Sequence, residues 1–158
     1  MSDAGAPPLV LASGSPRRRR LLEQIGLTFD VRPANVDEAT RPDETATAHV
    51  ERLAREKAGA VAAQRPDALV IGGDTEVVLD GEPLGKPADA AHAVEMLLRL
   101  QGREHRVESG IAVVTPDRRV RSAVIGADVR FRAFDRALAE AYAATGEPLD
   151  KAGAYGIQ

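Results

Sequence analysis

A short apolar run at residues 9–12 turns through Ser13-Gly14-Ser15-Pro16 into four consecutive arginines, Arg17 to Arg20, and then into Leu21, Leu22 and Ile25. This order dictates a strand, a tight polar turn and a helix. Pro16 suits the first helical position, whose N–H has no intrahelical acceptor, Ser15 before it can cap the free amides, and Gly26 supplies a stop. The arginines fall on the first turn, where the helix dipole is already positive, and each costs the isolated helix roughly a few tenths of a kcal/mol. An anion placed there would relieve that cost. Free backbone amides beside guanidinium forks make up a phosphate site, and a solvated basic surface helix fits the same residues equally well.

At 158 residues the chain suits one domain with a proper core. The formal charge of -3 is spread among residues of both signs, so no nucleic-acid partner is expected. Without cysteine there is no disulfide, no thiolate nucleophile and no cysteine-ligated metal. No apolar run nears the roughly 18 residues that a bilayer span needs, and the first eight residues lack the basic and apolar parts of a signal peptide. A cytoplasmic protein with no membrane partner is expected. Three Phe, two Tyr and no Trp do not make a base-stacking platform.

Along the chain, residues 29–33 form a second strand candidate, followed by a polar loop, 35–44, with the acidic pair Asp37 and Glu38. Residues 47–63 carry Val50, Leu53, Ala54, Ala58 and Val61 on one stripe of a helix, and Lys57 lies on the same stripe, as a snorkelling stem or as a chemical group. An apolar strand at 68–72 runs into Gly72-Gly73-Asp74-Thr75 and resumes at 77–79. Asp80-Gly81 is a hairpin signal, and the returning arm ends at Gly85-Lys86-Pro87. Asp89 caps a helix with Ala93, Val94, Leu97, Leu98 and Leu100, ended by Gly102. Strands are predicted at 107–115 and 119–126, with a third alternating stretch at 127–134; Asp135 then caps a last helix running to Ala144. The tail, 147–158, is turn-rich. Strands and helices that alternate early and meander late predict an α/β fold with a mixed sheet and flanking helices.

Asp74, at the end of an apolar strand between glycine and threonine, is placed to project into a cleft or simply to form a turn. Lys86 lies across the hairpin, close enough for a salt bridge with it. Arginines at a phosphate-ready helix, a stripe lysine, an acidic loop pair and this Asp/Lys hairpin converge on phosphate chemistry, in which cations stabilise oxyanions and carboxylates hold a divalent metal or take a proton from water. His49, His92 and His105 lack metal-ligand spacing, no Walker loop or G-x-G-x-x-G is present, and Ser13 and Ser15 have no base nearby in sequence.

Four blocks occur in order: Leu11-Ala12-Ser13-Gly14-Ser15-Pro16-Arg17-Arg18, Arg55-Glu56-Lys57-Ala58, Gly73-Asp74-Thr75 with Leu84-Gly85-Lys86-Pro87, and Asp150-Lys151-Ala152-Gly153-Ala154-Tyr155-Gly156-Ile157-Gln158. Together they resemble the Maf nucleotide pyrophosphatases over nearly the whole chain. The resemblance implies a two-lobed α/β domain over 1–158, similar to the inosine triphosphate pyrophosphatases, with the nucleotide in the cleft between lobes. It implies a hydrolase dependent on Mg²⁺ or Mn²⁺ that cuts a nucleoside triphosphate between its α and β phosphates. Asp74 matches the proton acceptor, and Glu38, Lys57 and Lys86 match charged catalytic residues of the same cleft, Asp74 and Glu38 also holding the metal. Ser13, Gly14, Ser15, Arg17, Arg18, Thr75 and Gln158 match substrate-binding positions. Arg17, Thr75 and Gln158 resemble the branch acting on dTTP and UTP; the branch acting on 7-methyl-GTP has Trp, Gln and Glu there. A homodimer is left open. Family members continue past the glutamine through a glycine-containing strand region and a closing helix, so the domain is expected to be C-terminally incomplete. The alternative is a non-catalytic nucleotide- or nucleic-acid-binding regulator of cell division, but carboxylates in a phosphate cleft repel such a ligand unless a metal intervenes.

Overall fold

In the computed structural model, which describes residues 5–156, β1 (Leu9–Leu11) lies between two parallel neighbours, β2 (Asp30–Val31) and β3 (Leu69–Leu79), with Val10 opposite Asp30 and Val70. Parallel neighbours need long crossovers, and α1 (Pro16–Gln24) and α2 (Ala46–Gln64) supply them. β4 (Glu82–Pro83) returns antiparallel to β3, making the sheet mixed. After α3 (Ala90–Leu100), β5 (Glu104–Val114) and β6 (Val120–Arg130) complete the strand order β2-β1-β3-β5-β6. β5 and β6 form a hairpin closed at its tip by Thr115 N–H on Arg119 O and at its base by Phe131 N–H on Arg103 O. α4 (Arg136–Ala144) and two 3-10 turns, Glu147–Asp150 and Ala152–Ala154, follow.

The predicted caps and turns form for the reasons given. Ser15, Asp89 and Asp135 accept the backbone N–H of Arg18, His92 and Leu138, and Asp80 and Gly81 both adopt positive φ, 53° and 82°, as a tight hairpin turn requires. The strand boundaries differ from expectation. Residues 68–72 and 77–79 fuse into the single strand β3, and 119–126 fuses with the start of 127–134 into β6. The glycines at these points admit neighbours instead of breaking strands. A Cβ on Gly72 would stand 2.7 Å from the amide nitrogen of Ala58 in α2, one on Gly73 would stand 3.3 Å from Arg18 Nε, and one on Gly126 would collide with the Arg106 guanidinium.

The chain divides into two compact units, one running up to Asp74 with Ser109–Val124 added, the other comprising Thr75–Glu108 and the residues from Ile125 onward. In the first, Val10, Ala12, Val70 and Ala112 of the strands pack with Ala54, Ala58 and Val61 of α2. Alanine and glycine let helix and sheet approach closely: a Cβ on Gly110 of β5 would meet the backbone of α2 at Val50 and Glu51. In the second unit, Val77, Leu79, Leu97, Leu100, Ala139 and Tyr155 form the core. His105 is buried there, edge-on to Phe131 and Tyr155. The Leu21/Ile25 side of α1 is exposed at 60% and 70%, and no residue of that helix is buried. Among the described residues no helix is long and apolar enough to cross a membrane.

Candidate active site

The seating of α2 on β3 determines where Lys57 goes. Ala58 packs against Gly72, so the preceding lysine is carried over the strand two residues further on. Its Nζ donates to Asp74 Oδ1 at 2.7 Å and lies 2.8 Å from Glu38 Oε1. The three side chains span a gradient of exposure, 10% for Lys57, 12% for Asp74 and 52% for Glu38. One ammonium thus neutralises part of two carboxylates, and the buried charge is tolerated because it is paired. Arg18 joins this group. Its Nη1 donates to Ser13 Oγ at 3.0 Å, burial lowers its pKa, and the charges of Asp74 and Glu38 oppose that shift. Gly73 provides the room for its guanidinium.

The loop bearing Glu38 is clasped by Arg52, a residue that the sequence reading did not single out. Its Nε and Nη2 donate to the two oxygens of Glu44 at 2.6 and 2.8 Å, Nη2 also donates to Ala39 O at 3.0 Å, and Nη1 donates to Glu56 Oε2 at 3.1 Å. Glu44 also accepts the Arg41 N–H and faces His49 Nδ1, each at 3.0 Å. The Arg52 hydrogen bond, followed by the backbone bond from Arg41, holds the Glu44 carboxyl well below the usual carboxylate range. Planar, two-pronged pairing of this kind fixes geometry as well as charge. The available signals were Glu44 just before the Thr45 cap and the Arg52/Glu56 spacing of four.

Ser13 Oγ accepts from Ser15 N–H at 3.2 Å as well as from Arg18, which makes it a turn-stabilising acceptor. Ser15 caps α1, and Gly14 lies against Pro33. Arg17 is half-buried with no ion pair among the described residues, and Thr75 follows Asp74 along β3, also half-buried. Lys57 is the ammonium bound to Asp74. Lys86 is exposed and makes no ion pair among the described residues. Gln158 lies outside the described residues. His49 pairs with Glu44, His92 accepts the Ala88 N–H, and His105 meets Tyr155 OH at 2.5 Å, with its Nδ1 buried and without a hydrogen-bond partner. Among the described residues no three of His, Asp and Glu converge as a metal shell.

Two solved structures share the fold: the Ham1 protein of Staphylococcus aureus, with a TM-score of 0.57 at 20% identity over 78% of this chain and 71% of that one, and a HAM1 protein of Coxiella burnetii, with a TM-score of 0.51 at 15% identity over the same shares. In sequence, the dTTP/UTP pyrophosphatase of Desulfotalea psychrophila is 48% identical over 152 residues, 96% of this chain and 78% of that protein. The dTTP/UTP pyrophosphatase of Escherichia coli O157:H7 is 48% identical over 151 residues, 95% of this chain and 76% of that protein. The family model described as Maf-like protein matches residues 8–158. With nearly its whole length matched and close to half its residues shared with these relatives, the chain belongs to the Maf-like protein family.

Proposed function

We propose that this chain is a nucleoside triphosphate pyrophosphatase that hydrolyses dTTP and UTP to the monophosphate and pyrophosphate, in the cytoplasm. The observation that carries the reading is the Lys57 ammonium shared by Asp74 and Glu38 beside the half-buried Arg18, in a chain whose relatives bear that name. Asp74 Oδ1 is held by Lys57, and Oδ2 is the oxygen offered to a water. Taking the water proton there readies the oxygen for attack on the α-phosphorus, in line with the departing pyrophosphate. Arg17, Arg18 and the Arg17 N–H at the opening of α1 receive phosphate oxygens, and Lys86, exposed and without an ion pair among the described residues, is a further phosphate ligand.

The donor set fits a divalent cation. Asp74 and Glu38 offer hard carboxylate oxygens, and Mg²⁺ characteristically takes one or two carboxylates and completes its shell with water and substrate phosphates. These two residues would hold it, and when bound it would neutralise charge on the phosphates. For base selection we assign Arg17, Thr75 and Gln158. A carboxamide both donates and accepts, matching the O4, N3–H and O2 edge of uracil or thymine, and hydroxyl and guanidinium add donors to the carbonyls. Cytosine reverses two of those groups and would leave buried partners unpaired.

The test is a panel of nucleoside triphosphates with Mg²⁺ or Mn²⁺, with monophosphate and pyrophosphate quantified. dTTP and UTP should exceed CTP, ATP and GTP by at least roughly a hundredfold in kcat/KM. Equal turnover of GTP or 7-methyl-GTP, or binding of triphosphates with no turnover of any, would overturn this function.

A further inference from the structure

We propose that Glu76 is a positioning residue for Lys86, acting through the backbone of Gly85. The proposal rests on the pyrophosphatase reading only in naming what Lys86 binds, a triphosphate. Glu76 is a carboxylate 8% exposed within a strand that continues Val77-Val78-Leu79, where an apolar side chain would serve the sheet alone. Its partner explains it. β3 and β4 pair Leu79 with Glu82 and Val78 with Pro83, and the Leu84 N–H then bonds to Val77 O at 2.9 Å. Continuing this register sets Gly85 opposite Glu76. There the side chain takes over from the backbone ladder, and Oε1 accepts the Gly85 N–H at 3.0 Å.

Gly85 has φ +62°, a conformation that glycine adopts without strain, and its carbonyl accepts the Gly153 N–H at 2.8 Å. Pro87, on the other side of Lys86, is buried. The lysine backbone is therefore fixed on both flanks while its side chain remains exposed with no ion pair among the described residues. A cation meant for a ligand gains from this arrangement, because the anchor is ordered before the phosphate arrives. The same carbonyl ties this turn to the segment that leads through Tyr155 toward Gln158.

The experiment is a double-mutant cycle read by calorimetric binding of the non-hydrolysable α,β-imido-UTP, with amide hydrogen exchange at Gly85 as a second readout. Glu76→Val should weaken binding by at least about fivefold in the presence of Lys86 and by no more than about twofold on the Lys86→Met background, since positioning has no effect once the positioned group is gone. Glu76→Gln, which keeps Oε1, should bind within about twofold of the unaltered chain and retain the slow Gly85 exchange that Glu76→Val loses. Equal losses on both backgrounds, no loss in Glu76→Val, or Glu76→Gln behaving like Glu76→Val would each overturn the proposal. Should Glu76→Val not fold, Glu76→Ala enters the same cycle. A chain that binds the analogue and hydrolyses nothing sinks the pyrophosphatase reading while leaving this cycle to be decided on its own, whereas a chain that hydrolyses UTP with an additive cycle sinks this proposal alone. A chain that does not bind the analogue overturns both.

Discussion

Replacing Gly72→Ala inserts one methyl group between α2 and β3, and its cost can be worked from the contacts. The added carbon would lie 2.7 Å from Ala58 N and 3.0 Å from Ala58 Cβ, and closer still to Ala54 O. Favourable separations between such atoms are about 3.5–4.0 Å, so helix and strand must part by about 1 Å. The nearest opposing atoms belong to backbone, and no rotamer change relieves them. Overpacking of this kind costs about 1–3 kcal/mol. At about 2–4 °C per kcal/mol for a chain of this size, Tm should fall by about 2–12 °C. Lys57 directly precedes Ala58, so the same displacement stretches the 2.7 Å bond to Asp74 toward about 3.7 Å, beyond hydrogen-bonding range. A misplacement of about 1 Å in catalytic machinery costs on the order of a hundredfold in rate. Thermal unfolding followed by circular dichroism, with pyrophosphate release from UTP measured below both midpoints, reads the two effects separately. Gly59→Ala is the control on the same helix: its added methyl meets nothing within 4 Å. It should stabilise by about 0.4–1 kcal/mol. If Gly72→Ala left both Tm and kcat unchanged while the control behaved as expected, the close approach of helix to strand would be refuted. A lower Tm with full activity would refute only the link from that approach to Lys57.

Asp74→Asn should lower turnover by at least about a hundredfold while leaving triphosphate affinity within about tenfold, and turnover equal to that of the unaltered chain would reduce Asp74 to a structural partner of Lys57. Lys57→Met keeps the buried stem and removes the ammonium, so it should cost activity more than stability; a collapsed Tm with fully active residual protein would count against that role. Burial pushes the Tyr155 hydroxyl up to about 12, so its contribution is constant below the unfolded value of 10 and is lost as the pH rises through 12. Denaturant titrations from about pH 8 to about pH 11 should show this alkaline loss diminished in Tyr155→Phe, and parallel profiles for the two proteins would contradict it.

Local chemistry was legible in the sequence. Ser15-Pro16, Asp89 and Asp135 announce helix starts, Asp80-Gly81 announces its hairpin, and the α2 stripe places Lys57 on the buried side, because each signal is read over a few residues. Partners distant along the chain were not legible from periodicity. Lys57 is 17 residues from Asp74, and only the resemblance put them in one cleft with Glu38; His105, 50 residues from Tyr155, had no such signal. The Arg52 clasp was missed because its first partner, Glu44, lies just outside the helix, where a loop glutamate looks like any solvated acid. Gly72, Gly73 and Gly126 read as breaks because the propensity of glycine is local, whereas its use here, admitting a helix backbone or an arginine, is tertiary. The Leu21/Ile25 periodicity signalled a helix, and both side chains are exposed in it, since period reports which residues share a face and not whether anything covers it.

The absence of any buried residue in α1 gives that helix a thermodynamics of its own. Nine residues are fewer than the roughly 12–15 at which an isolated helix becomes even marginal in water, and with none of its residues buried its opening free energy rests on half-buried contacts such as those of Arg18 with Ser13 and Gly73. Its amides should therefore exchange through a local opening that leaves α2 and β3 intact. A ligand that requires the closed form stabilises it by mass action. Phosphate held at the start of α1, as proposed, would do two things at once, filling a site and completing the folding of the element that presents it, so a measured nucleotide affinity would already contain the free energy of ordering α1.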